Sequence, residues 1–198
     1  MIDEPFRAKL PKFVDPLLRL YKALGLTPNS VTLLGLGFGI IAAFLVAREM
    51  FVPAIAVWWL GRLLDGTDGI YARKTNQSSH FGAQLDILSD MAAYSAMIIG
   101  FNFAFPELQS LWSIILLLYV LCITGALSLG NLQDKMNIPT QNNRGLRLAS
   151  GIAEGGETGI AYTLFLIFPE YIIFLARVWI LILIVTVIAR LILAKREL

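Results

Sequence analysis

Charge is scarce in this chain. Only 15% of its 198 residues are Asp, Glu, Lys or Arg, against roughly 25% in soluble domains. Hydrophobic residues make up 57% and the mean hydropathy is +0.71, where soluble domains run about 45–50% apolar. Such a chain is solvated largely by lipid. Cysteine is nearly absent too. Cys122 stands alone in an apolar run, so it closes no internal disulfide and implies no oxidising compartment; it is expected to be a buried small residue. The N-terminal stretch MIDEPFRAKLPKF lacks the pattern of a cleavable signal. Internal repeats, low-complexity stretches and any sign of a second domain are missing, so residues 1–198 are expected to form a single membrane domain. The net charge of +2 gives no reason to expect a nucleic-acid partner.

What is present is a series of apolar segments. A spanning helix needs about 20 mainly apolar residues. Six segments meet that need, some with polar interruptions: Ser30–Ala47, Phe51–Arg73, Gly82–Phe105, Leu108–Leu129, Leu148–Phe168 and Ile172–Ala194. The second is apolar only in its first half and the third only in its second half. Ahead of them, Phe6, Leu10, Phe13, Val14, Leu17, Leu20, Tyr21 and Leu24 recur at helical spacing, with Arg7, Lys9, Lys12, Arg19 and Lys22 between them. Residues 1–26 therefore read as an amphipathic helix in the membrane interface or packed on the bundle. Gly25 ends it. Pro28 suits the first turn of the next helix, with Asn29 or Ser30 as its cap.

The fold expected is all-α and integral to a membrane, with six spans in residues 30–194 after the interfacial helix. Placing the N-terminus in the cytoplasm puts 13 of the 16 basic residues on that side. This satisfies the positive-inside rule with both termini cytoplasmic. The expected location is a bacterial inner (cytoplasmic) membrane.

Asp65, Asp68, Asp86 and Asp90 lie within or at the ends of these spans. A charge at the bilayer centre costs about 3 kcal/mol on insertion scales, and acids at such depth are functional candidates. Asp65 and Asp68 are three apart; Asp86 and Asp90 are four apart; each pair shares a helix face. Gly82 extends the second stripe by a turn, and the loop Lys74–Phe81 is short. Two antiparallel helices can thus aim four carboxylates into one space near the cytoplasmic surface. Crowded carboxylates call for cations, and hard divalent ions with oxygen ligands suit them. The plain structural alternative is ion pairing with Arg62 and Arg73. The functional alternative is a proton or cation transporter whose acids line a path. An inert structural membrane protein leaves the acids unexplained.

The run Asp65-Gly66-Thr67-Asp68-Gly69-Ile70-Tyr71-Ala72-Arg73, eight residues, then Gly82-Ala83-Gln84-Leu85-Asp86-Ile87-Leu88-Ser89-Asp90 resembles the CDP-alcohol phosphotransferase motif D-x2-D-G-x2-A-R-x8-G-x3-D-x3-D. All eight fixed positions are present. Thr27-Pro28-Asn29 is similar to the family's segment before its first span. The resemblance implies a phospholipid-forming enzyme. It would transfer a substituted phosphate group from a CDP-alcohol, CDP-diacylglycerol being the expected donor, to the hydroxyl of a second alcohol and release CMP. It implies two divalent cations, Mg²⁺ or Mn²⁺, held by Asp65, Asp68, Asp86 and Asp90. It implies Asp90 as the catalytic base. Donor contacts would come from Asn29, Asp68, Gly69, Ala72, Arg73 and Gly82. It also implies a homodimer.

Polar residues gather again near the fifth span: Lys135, Arg144, Arg147, Glu154 and Glu157, among several glycines. These are the candidate acceptor contacts. The basic ones suit a phosphorylated acceptor; the glutamates suit a neutral polyol or amino alcohol. Mutual ion pairing is the plain alternative.

Overall fold

The computed structural model describes residues 14–136 and 155–197. Every regular element among them is helical. In order they are α1 (Asp15–Ala23), α2 (Pro28–Ala47), α3 (Phe51–Lys74), α4 (His80–Ala104), α5 (Gln109–Lys135), α6 (Gly155–Ile167) and α7 (Ile172–Glu197). Single 3₁₀ turns, Pro106–Leu108 and Pro169–Tyr171, lead into α5 and α7. Among the described residues four helical segments are long and apolar enough to cross a membrane: Pro28–Ala47, His80–Ala104, Pro106–Lys135 and Pro169–Arg196. Helix α3 falls short because Arg62, Asp65 and Asp68 interrupt it. The fifth expected span is described only from Gly155, as the 13 residues of α6.

The chain forms two compact units, Met1–Ala104 and Phe105–Leu198. In the first, α2 packs along both α3 and α4. Small residues make this close approach possible. A Cβ on Gly61 would stand 3.0 Å from the Gly35 carbonyl oxygen, and one on Gly100 would stand 2.5 Å from that of Ala43. Both neighbours are backbone, so neither gives way cheaply. Gly100→Ala is expected to cost about 1–3 kcal/mol through overpacking, read as a lower thermal midpoint in detergent.

The cap of α2 is Thr27, not Asn29 or Ser30. Its Oγ1 accepts the Ser30 N–H at 3.2 Å, from an extended backbone (φ −87°, ψ 159°). Pro28 explains this: it takes the first helical position and forces the residue before it out of the helical region. Asn29 is thereby relieved of capping.

Helix α1 is the described part of the N-terminal segment expected to be amphipathic; Phe6, Arg7, Lys9, Leu10, Lys12 and Phe13 lie outside the described residues. Val14, Leu18 and Tyr21 are buried with Val31, Ile70 and Tyr71, while Leu20 and Leu24 face outward. Polar ties add to this packing. The Thr67 hydroxyl donates to the carbonyls of Leu63 and Leu64, at 2.8 and 2.9 Å. Its single proton is then spent, so the Tyr21 hydroxyl donates to Thr67 Oγ1 at 2.9 Å. Burial, helped by the charge of Asp68, raises the Tyr21 phenol above its ordinary value and keeps it a donor. The Tyr71 hydroxyl donates to the Leu26 carbonyl at 2.9 Å, and Lys74 pairs with Asp15. Thr67 lies between Asp65 and Asp68 in sequence, so α1 braces the acid-bearing stretch of α3.

In the second unit α5 packs chiefly on α7. Its buried residues Trp112, Ile115, Tyr119, Cys122, Ala126 and Leu129 recur every three or four positions. Trp179 Nε1 donates to the Tyr119 hydroxyl at 2.9 Å, and that hydroxyl lies 2.8 Å from Tyr162 OH. Cys122 is buried, as expected. Arg190 Nη1 donates to the Cys122 carbonyl at 2.5 Å.

The outward faces are rich in large apolar side chains. They include Leu33, Ile40, Ile41 and Phe44 on α2, and Phe174, Leu181, Ile188 and Leu191 on α7. Water-soluble monomers rarely expose contiguous apolar surface on this scale; lipid solvates it at no such cost.

Candidate active site

The functional side chains of the first unit sit on α3 and α4, with α2 supporting them. The one-turn offsets place Asp65 and Asp68 on one face of α3, and Gly82, Asp86 and Asp90 in a stripe along α4. Asp65 lies in the electrostatic field of Asp90, Arg62, Asp86 and Asp68 together. Asp68 in turn feels Asp90 and Arg62. The four expected acids therefore act on one another electrostatically across α3 and α4.

Asp68 is the most enclosed of them, 5% exposed. One carboxylate oxygen accepts the Thr32 hydroxyl at 2.5 Å, and the other accepts the Gly69 N–H at 2.5 Å. Thr32 also lies 3.2 Å from the Pro28 carbonyl. The α2 end that carries Asn29 is thus tied to the motif by Thr32. Asn29 itself lies against Gly82: a Cβ there would stand 3.2 Å from Asn29 Oδ1. At Gly69 a Cβ would stand 3.4 Å from Arg73 Nη1. Of the expected donor contacts, Asn29 and Gly82 are together, as are Gly69 and Arg73. Ala72 is half-buried on the same helix and Arg73 is exposed.

Arg62 enters the acid cluster more deeply than sequence reading assigned it. Its Nη1 donates to Asp90 Oδ1 at 2.5 Å and to Asp65 Oδ2 at 3.3 Å. The Tyr94 hydroxyl is 3.1 Å from the same nitrogen. The plain ion-pairing alternative is thus realised for Arg62, which engages two of the four acids. Thr32 and Tyr94 were missed. Tyr94 had a signal, since it continues the 82–86–90 stripe by one more turn. Thr32 had none.

Among the described residues no three acidic, histidine or cysteine side chains meet at one point ready for an ion; the Arg62 guanidinium bridges Asp65 and Asp90. The donor set nevertheless fits hard divalent cations. It is all carboxylate oxygen, and four negative charges exceed the one guanidinium inside the cluster.

The candidate acceptor residues belong to the second unit. Lys135 is exposed at the end of α5, and Glu157 is half-buried in the first turn of α6. Arg144, Arg147 and Glu154 lie outside the described residues.

Comparison with known proteins identifies the family. The sequence profile of the CDP-alcohol phosphatidyltransferase family matches residues 25–189. Inner membrane protein YnjF of Escherichia coli is 30% identical over 178 residues, covering 86% of this chain and 84% of that protein. Archaetidylinositol phosphate synthase of Pyrococcus horikoshii is 32% identical over 93 residues, 46% of this chain and 50% of that one. The chain therefore matches only about half the length of that relative. Among solved structures, phosphatidylinositol phosphate synthase of Mycobacterium tuberculosis with CDP-DAG bound shares the fold, with a TM-score of 0.66 and 21% identity over 90% of this chain and 92% of that one. The same protein in complex with manganese and citrate gives a TM-score of 0.63 at 21% identity, over 91% and 88%. The profile match runs from the turn before α2 into the last helix, α7, and takes in every fixed position of the motif on α3 and α4. This integral membrane chain belongs to the CDP-alcohol phosphatidyltransferase family of phospholipid-forming transferases.

Proposed function

We propose that this protein transfers the phosphatidyl group of CDP-diacylglycerol to a hydroxyl of a phosphorylated polyol. The observation that carries this reading is that Asp65 interacts electrostatically with Asp68, Asp86 and Asp90 across α3 and α4, while Asn29 meets Gly82 and Gly69 meets Arg73. Asp65, Asp68, Asp86 and Asp90 would hold two divalent cations, Mg²⁺ or Mn²⁺. When bound, those ions neutralise the donor diphosphate and acidify the acceptor hydroxyl.

The protein's own groups do the rest. Thr32 and the Gly69 N–H fix both oxygens of Asp68. Gly69, Ala72 and Gly82 leave room for the cytidine end of the donor, with Asn29 at its edge, and Arg73 pairs with the diphosphate. Asp90 takes the proton of the acceptor hydroxyl as its oxygen attacks the lipid-bearing phosphorus. A new P–O bond forms, the P–O bond to CMP breaks, and CMP leaves with the electron pair.

Lys135, Arg144 and Arg147 would supply positive charge for an acceptor phosphate, with Glu154 and Glu157 accepting hydrogen bonds from the acceptor's other hydroxyls. The inositol phosphate in the name of the archaeal relative, and CDP-DAG and manganese in those of the mycobacterial structures, support these choices. The reading includes one membrane domain over the whole chain and six spans after an interfacial helix. The site and both termini face the cytoplasm, and the protein is a homodimer. The unbroken family match and the basic residues near the cytoplasmic ends support this plan.

The test is product identification. Purified protein with CDP-diacylglycerol and Mn²⁺ is offered inositol phosphate, glycerol phosphate, inositol, serine, glycerol and choline, and the lipids are resolved by mass. A new lipid with a phosphorylated polyol supports the reading. A product with serine or choline alone would overturn the acceptor assignment.

A further inference from the structure

Arg62 occupies no fixed position of the motif, yet its charge lies among the acids. Its side chain is 8% exposed. The guanidinium carbon stands 4.9 Å from the Trp58 ring centroid and 5.1 Å from that of Tyr94, so two aromatic faces seat it. From that seat Nη1 holds Asp90 at 2.5 Å and Asp65 at 3.3 Å.

Charge counting gives this a consequence. Two divalent cations balance four carboxylates without help. A fifth positive charge is then surplus, and it would repel bound cations with little water in the cluster to screen it. It also engages oxygens on two of the four acids.

We propose that Arg62 is a resident counter-charge that competes with the divalent cations for Asp65 and Asp90, and so sets how tightly metal binds. The inference rests on the four acids being the metal ligands. Without metal the guanidinium holds Asp90 and Asp65 in place against their mutual repulsion. Metal binding draws the two carboxylates away from Nη1. Arg62 is thus a positioning residue, and it acts on the metal through the acids.

The test is Mn²⁺ affinity of the full chain in detergent, read by electron paramagnetic resonance without nucleotide. Arg62→Gln and Arg62→Met are expected to bind Mn²⁺ about tenfold more tightly than wild type. Arg62→Lys, which keeps the charge but loses the planar stacked fork, should fall between wild type and the neutral variants. Asp68→Asn serves as the control and should lose most binding. If wild type binds no Mn²⁺, or Asp68→Asn binds as well as wild type, the ligand reading itself is wrong. If the control behaves and the neutral variants bind equally or more weakly, the Arg62 inference is overturned while the ligand reading survives. Should both neutral variants fail to fold, the wild type supplies the answer through Trp58. Mg²⁺ should change its emission, isolated by difference from Trp58→Phe, and no change refutes the displacement.

Discussion

Replacing Asp90 with asparagine is expected to lower turnover by about 100- to 10,000-fold, the range that general-base catalysis supplies, while donor binding stays near the wild-type value. The substitution keeps size and one ligand oxygen and removes the basic site. Asp90, the proposed base, has one oxygen on Arg62, whose guanidinium must shift for that oxygen to take a proton. The Asp90 side chain is 26% exposed, against 19% for Asp65, and Asp68 is only 5% exposed with both oxygens engaged by Thr32 and Gly69. A base must meet an incoming hydroxyl and later release its proton; an enclosed carboxylate with both oxygens held is better suited to gripping a cation. The check is a kcat and KM pair for CMP formation at saturating Mn²⁺, beside a direct measurement of CDP-diacylglycerol binding. Near-normal kcat in Asp90→Asn would remove Asp90 from the base role.

Chelation is expected to have an effect at least as large. With divalent cations stripped, CMP formation should fall to background, and Mg²⁺ or Mn²⁺ should restore it. Phosphoryl transfer here has two groups of like charge to bring together, the donor diphosphate and the four aspartates. Arg62 and Arg73 are too few to offset both. Asp68→Asn should mimic chelation and resist rescue, because the held orientation of its carboxylate is what a ligand needs. Activity that persists in excess chelator would separate this chain from metal-dependent chemistry.

The parts of the site legible in sequence are those that local geometry dictates. Asp65, Asp68, Gly82, Asp86 and Asp90 could be placed on two faces because helical offsets of three and four are independent of tertiary structure. Thr32 could not, since it reaches Asp68 from 36 residues away and looks like any hydroxyl in an apolar span. Arg62 was visible as a possible partner for an acid, but its choice of Asp90 and Asp65 and its seat between Trp58 and Tyr94 depend on how α3 and α4 face each other. The cap of α2 lies two or three residues before the expected Asn29 or Ser30 because the side chains of Thr27, Asn29 and Ser30 all suit the position; Pro28 decides it for Thr27 through the backbone. The acceptor residues form no motif with fixed spacing, so sequence yields candidates there and not a site.

The central claim is that these four acids serve metal-dependent release of CMP from a CDP-alcohol. It is tested most directly by following CMP from CDP-diacylglycerol with the purified protein, with and without Mn²⁺, in wild type and Asp90→Asn, alongside ion flux in vesicles carrying the same protein. The account predicts CMP that needs Mn²⁺, an acceptor and Asp90, with no flux. Ion flux that depends on the same acids, with CDP-diacylglycerol untouched, would contradict it.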